Sequence, residues 1–148
     1  MTWVHCALMS ALFAGLTAVL AKVGVADVPS NLATLIRTVV VAGFASGIVL
    51  FTGEAGGVRS LGTRDWLALV GSGLATGASW LFYFAALKRG PISGVAPIDK
   101  LSFLIAMGLG FVVLREPVRP LTLVGAALIA AGVALTLPSV QEAIRRLF

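Results

Sequence analysis

The chain has 148 residues and a net charge of +5; 59% of it is hydrophobic, 11% is charged, and the mean hydropathy is +1.04. A water-soluble domain carries about 25% charged residues, so this chain lacks the polar surface to coat a soluble globule, and its solvent is lipid. The lone Cys6 excludes an intrachain disulfide framework, and His5 beside it would point about 100° away on a helix, so the two do not chelate a metal together.

Crossing a hydrocarbon core of ~30 Å takes ~20 mostly apolar residues. Five stretches qualify, at 3–21, 32–52, 66–87, 92–114 and 121–137, which predicts an all-α membrane protein with short loops. The first is expected to remain as a span, because no positively charged segment precedes it and its apolar run exceeds a signal-peptide core. Asp27-Val28-Pro29-Ser30-Asn31 separates the first two stretches and offers caps for the second. Residues 53–65 hold four glycines and most of the local charge, while Lys88-Arg89-Gly90-Pro91 and Arg115 to Pro120 are compact turns. Loops this short predict that consecutive helices run antiparallel as neighbours. The organisation expected is a five-helix domain at 1–138 followed by an amphipathic tail at 139–148. In that tail Ser139 and Glu142 fit a capping box, Val140, Ile144, Leu147 and Phe148 share a face, and Arg145 and Arg146 lie opposite. The pattern predicts a helix lying along the membrane interface.

Small residues mark where helices can approach. Gly43 with Gly47 and Gly73 with Gly77 each form a G-x-x-x-G pair, and Gly125 and Gly132 lie two turns apart on one face. Such faces are expected to carry helix packing or a dimer contact, since lipid supplies no hydrophobic drive for association.

The basic residues sit at the ends of apolar runs and are not interleaved with aromatics along a groove, which speaks for headgroup contacts and against nucleic acid. On the side of the N-terminus lie Arg59, Arg64, Arg115 and Arg119; on the other lie Lys22, Lys88, Arg89, Arg145 and Arg146. With the membrane-embedded Arg37 and Lys100 left out, four against five is nearly balanced, as a chain inserting in both orientations would show, or an ordinary protein whose orientation is set by insertion kinetics; counting those two tips the second side toward the cytoplasm.

Ionisable groups inside a span cost at least ~2.5–3.5 kcal/mol, so they need a reason. Arg37 falls about 9 Å into the second helix, counted from Asn31. Asp99 and Lys100 enter the fourth helix from the same side, and Trp80 and Tyr83 stand at a similar depth on the third. Asn31, Thr34 and Thr38 add a polar stripe to the second helix. Together Asn31, Thr34, Arg37, Trp80, Tyr83, Asp99 and Lys100 predict a wet substrate pocket, with Asp99 paired to Arg37 or Lys100 and Trp80 stacking on the substrate. The competing reading is that Arg37 and Lys100 snorkel to the headgroups, Asp99 starts a helix after Pro97, and the aromatics form an interfacial belt. Asp99 is too short to snorkel from that depth. Glu116, beside Pro117, reads as a structural turn residue. No Ser/His/Asp or metal constellation is present, so no catalytic residue and no cofactor is expected.

Ser30 through Thr38 resembles the second helix of the short, single-domain EamA-like members of the drug/metabolite transporter superfamily. Gly77 through Leu87 and Val95 through Ser102 resemble that family's third and fourth helices, the Pro97-Ile98-Asp99-Lys100-Leu101-Ser102 segment being the most specific part. Leu114-Arg115-Glu116-Pro117 resembles its Leu-Gly-Glu turn, with Arg115 where the family usually has glycine. Gly125 through Val133 is similar to the dimer-forming last helix of small multidrug resistance proteins, whose proton-exchanging glutamate in the first helix has no counterpart here. The resemblance implies a secondary transporter of small metabolites, amino acids or drugs in the cell (inner or plasma) membrane. Coupling to a proton or sodium gradient would fall to Asp99. Five helices are few for enclosing a polar path, so a homodimer, antiparallel in the manner of an inverted repeat, is the expected assembly. The alternatives are a flippase of an amphipathic lipid-linked substrate, with Arg37 and Lys100 on a phosphate, and a non-transporting partner subunit.

Overall fold

Large apolar side chains cover the outside of this protein: Phe51 is 95% exposed, Trp3 82% and Leu121 81%. That is the surface expected where lipid replaces water and every backbone polar group must be satisfied within helices. The computed structural model describes residues 2–146, and among them every regular element is helical. In order these are α1 (Trp3–Gly24), α2 (Ser30–Thr52), a 3-10 helix (Glu54–Ser60), α3 (Thr63–Arg89), α4 (Ile92–Asp99), α5 (Ser102–Val113), α6 (Pro120–Thr136) and α7 (Pro138–Arg145). Helices α1, α2 and α3 and the continuous stretch Ile92–Val113 are each long and apolar enough to cross a membrane. Helix α6 has 17 residues and is followed by α7 after a bend of 71°, so the count of spans is four, or five with this bent pair. The first three expected stretches lie within α1, α2 and α3, which run two to three residues further at one or both ends; the fourth and fifth each overshoot the observed helix end by one residue, at Leu114 and Leu137.

The chain divides into two units, one ending at Arg89 and the other beginning at Gly90. In the first, α3 packs against both α1 and α2. Its core is small and sits near one end: Leu87 and Val25 are fully buried, with Phe84 and Thr34 beside them. Two lysines close this end. The Lys22 ammonium, in the last turn of α1, donates to the Leu87 carbonyl, and that of Lys88 donates to the Val28 carbonyl at 2.9 Å. Carbonyls in the last turn of a helix and in a loop lack intrahelical partners, and these cations supply them. Lys22 and Lys88, expected at the headgroups, thus also tie α1 to the end of α3 and α3 to the α1–α2 loop.

The second unit departs from the sequence reading in the fourth span. A single helix over 92–114 is expected, whereas the chain turns at Lys100-Leu101 and starts again at Ser102. Pro97 lies inside α4 and cannot donate to the Ser93 carbonyl, which weakens the ladder there. The turn closes with tighter bonds, Leu101 N–H to the Ile98 carbonyl at 3.0 Å and Leu104 N–H to the Leu101 carbonyl at 3.0 Å. Asp99 therefore ends a helix rather than starting one. The capping box at Ser139 is also corrected: α7 begins at Pro138, with Leu137 in the capping position and no side-chain cap. Proline suits a first helical position, because its missing N–H would have no partner there. Leu147 and Phe148 lie outside the described residues.

Candidate functional site

Arg37 sits on α2 seven residues after Ser30, about 10 Å along the helix, at membrane depth. Its guanidinium does not reach for the surface. It lies over the Trp80 ring of α3, 4.2 Å from the centroid, with the Phe84 ring 5.6 Å away. Trp80 and Phe84 are four residues apart, so one face of α3 presents both rings to α2. Tyr83 stands on the same helix, between Trp80 and Phe84 in the sequence. A desolvated cation–π contact contributes ~2 kcal/mol, which offsets most of the ~2.5–3.5 kcal/mol that a charge at this depth costs.

Beside this stack is a cavity of about 340 Å³. Its wall comes from Thr17, Leu20 and Gly24 of α1, Ile36 and Arg37 of α2, and Phe84 of α3. The cavity follows from the packing: α3 holds both partners near its end, leaving α1 and α2 apart above the Phe84 ring. Arg37 is the single charged residue on a mostly apolar wall. Its charge meets no carboxylate of this unit among the described residues.

The other expected residues are placed as follows. Thr34 is buried, and its hydroxyl donates to the Ser30 carbonyl at 2.9 Å; Thr38 does the same to Thr34 at 2.8 Å. These hydroxyls are spent along their own helix. Asn31 is exposed in the first turn of α2. Trp80 stacks on Arg37 itself. In the second unit, Asp99 and Lys100 occupy the end and the turn of the broken span, and their charges lie 3.7 Å apart. Sequence reasoning missed Leu20, Ile36 and Phe84; the one available signal was the four-residue spacing of Phe84 from Trp80. The glycine faces are open: a side chain at Gly43, Gly47, Gly73, Gly77, Gly125 or Gly132 would meet nothing within 4 Å.

Comparison with known proteins gives the family. Residues 1–137 match the EamA-like transporter family. The chain belongs to that family. A Sinorhizobium protein named "Uncharacterized transporter in cobO 3'region" is 50% identical over 131 residues, which cover 88% of this chain and 93% of the relative. No solved structure matches. The chain is thus an integral, multi-pass membrane protein of a transporter family, and both comparisons point to transport rather than catalysis.

Proposed function

We propose that the chain carries a small metabolite or drug-like solute across a cell membrane by alternating access, acting as a homodimer. The observation that carries this reading is Arg37, stacked on Trp80 at membrane depth and forming the charged point on the wall of an otherwise apolar cavity. An ionisable residue at this depth on a cavity wall is a functional position by default. The turn at Lys100-Leu101 supports the reading from the second unit, because it sets the ionisable pair Asp99 and Lys100 within the span Ile92–Val113. Asp99, on that interruption, is the group through which a proton or sodium gradient would couple. The homodimer follows from the need for a second bundle against which the first can rock. The open glycine faces, including Gly125 and Gly132 on α6, are where a partner copy would pack.

The test is uptake by the purified chain in proteoliposomes, screened with a panel of labelled amino acids, organic acids and quaternary amines. Uptake above empty liposomes is expected for at least one solute, and Arg37→Gln is expected to reduce it by at least about tenfold, the equivalent of one lost charge-assisted contact. An Arg37→Gln variant that transports as well as the parent would contradict the site, and a panel that never exceeds empty liposomes would contradict transport.

A further inference from the structure

The guanidinium of Arg37 meets aromatic rings, with the Trp80 centroid at 4.2 Å and the Phe84 centroid at 5.6 Å. It carries five N–H donors in a fixed planar fork. No protein acceptor takes a hydrogen bond from Arg37 among the described residues, and no carboxylate of its unit pairs with it. The hydroxyls of Thr34 and Thr38 on the same helix are turned to its own carbonyls. The cavity that Arg37 lines is walled mostly by hydrocarbon, and its 340 Å³ is about twice the ~150 Å³ that holds benzene.

We propose that the cavity between α1 and α2 takes a small amphipathic organic anion, its carboxylate or phosphate on the edge of Arg37 and its apolar body against Leu20, Ile36 and Phe84. The inference rests on the reading of this cavity as the substrate site and names the substrate's chemistry. A planar fork of donors matches a carboxylate or phosphate in a two-bond arrangement, and the ring stack holds the fork in place before the ligand arrives, which lowers the ordering cost of binding. A cation of the same size would face Arg37 across a low-dielectric space with nothing to offset the repulsion. A neutral alcohol would leave the donor edge half used. The occupant is a free solute rather than a membrane lipid, because a headgroup would bring further polar groups against a wall that offers them no partners.

Trp80 makes the site observable. With Trp3→Phe and Trp66→Phe it is the last of three tryptophans, and its emission responds to the cation lying on it. The full chain, in nanodiscs of phosphatidylcholine, is titrated with hexanoate, monohexyl phosphate, 1-hexanol and hexylammonium. Hexanoate and monohexyl phosphate are expected to saturate at concentrations at least about tenfold below the other two, the margin of one hydrogen bond to a charged group. Arg37→Gln is expected to erase that margin while leaving the hexanol response, which shows that the cavity is still formed. Arg37→Lys, a point charge without the fork, is expected to keep part of it. Equal responses to hexanol and hexanoate, or an Arg37→Gln variant that still prefers the anions, would overturn the proposal. Loss of the hexanoate response when phosphatidylglycerol replaces part of the phosphatidylcholine would overturn the free-solute identity in favour of a lipid headgroup. Binding here is read without transport: hexanoate saturation in a chain that moves no panel solute leaves this site standing and removes the transport reading. Flux of a quaternary amine with no hexanoate response does the reverse.

Discussion

Arg115 holds a backbone conformation that its side chain makes costly. Its φ of 56° lies in the left-handed region, where a Cβ crowds the following carbonyl by roughly 1–2 kcal/mol and glycine pays nothing. The turn requires that conformation: it lets the Glu116 N–H come back to the Gly110 carbonyl at 3.2 Å and close the end of α5. The Glu116 carboxylate lies 3.3 Å from where a side chain at Gly110 would begin, so the small residue leaves room for it. This agrees with the reading of Glu116 as a turn residue and explains why the resembling family places glycine at the position of Arg115. Arg115→Gly is expected to raise the unfolding free energy by about 1 kcal/mol, measured by denaturation in mixed micelles. A variant no more stable than the parent would show that the Arg115 side chain makes a compensating contact. At this scale the sequence told most about Arg37 and Trp80, because a cation and a large aromatic at matching depth are conspicuous against hydrocarbon. It could not separate Leu20, Ile36 and Phe84 from their neighbours. A lipid-facing position and a cavity wall both favour apolar side chains, so composition is blind to the difference.

The elements were legible in their number and blurred at their breaks. Hydropathy over ~20 residues locates a span because the bilayer's thickness sets that length. The same averaging passes over residues 92–113, where one apolar run is two helices. The missing N–H of Pro97 disturbs the ladder locally and leaves the mean hydropathy of the span unchanged. Pro138 works in the opposite direction: it starts α7 after the 71° bend that ends α6. If the break at Lys100-Leu101 serves transport, then healing it should harm function more than folding. Pro97→Ala is expected to stabilise the chain by up to about 3 kcal/mol, the difference between proline and alanine inside a helix, and to lower uptake of whichever panel solute the parent moves. Unchanged uptake with higher stability would make the break a structural accident. Val140 and Ile144, read as part of an apolar face, stand on α7, and an interfacial position for that helix is a proposal that its 71° bend from α6 would accommodate.

At the scale of the whole molecule, the chain offers a buried core of a few residues, an outer surface of large apolar side chains, and glycine faces with nothing packed on them. Its basic residues are divided almost evenly between the two ends of the spans, so the sequence carries little instruction about orientation. We propose that the homodimer is formed by two copies inserted in opposite senses, which would give a transporter the inverted halves it needs. Labelling tests this most directly. Gly57 lies exposed in the 3-10 helix between α2 and α3, and Cys6 is the one native cysteine. In a Cys6→Ser background, Gly57→Cys is exposed to a membrane-impermeant thiol reagent in intact cells. About half of the chains are expected to react, at every expression level, as a near-zero charge bias implies. A population that is fully labelled or fully protected would contradict the inverted pair.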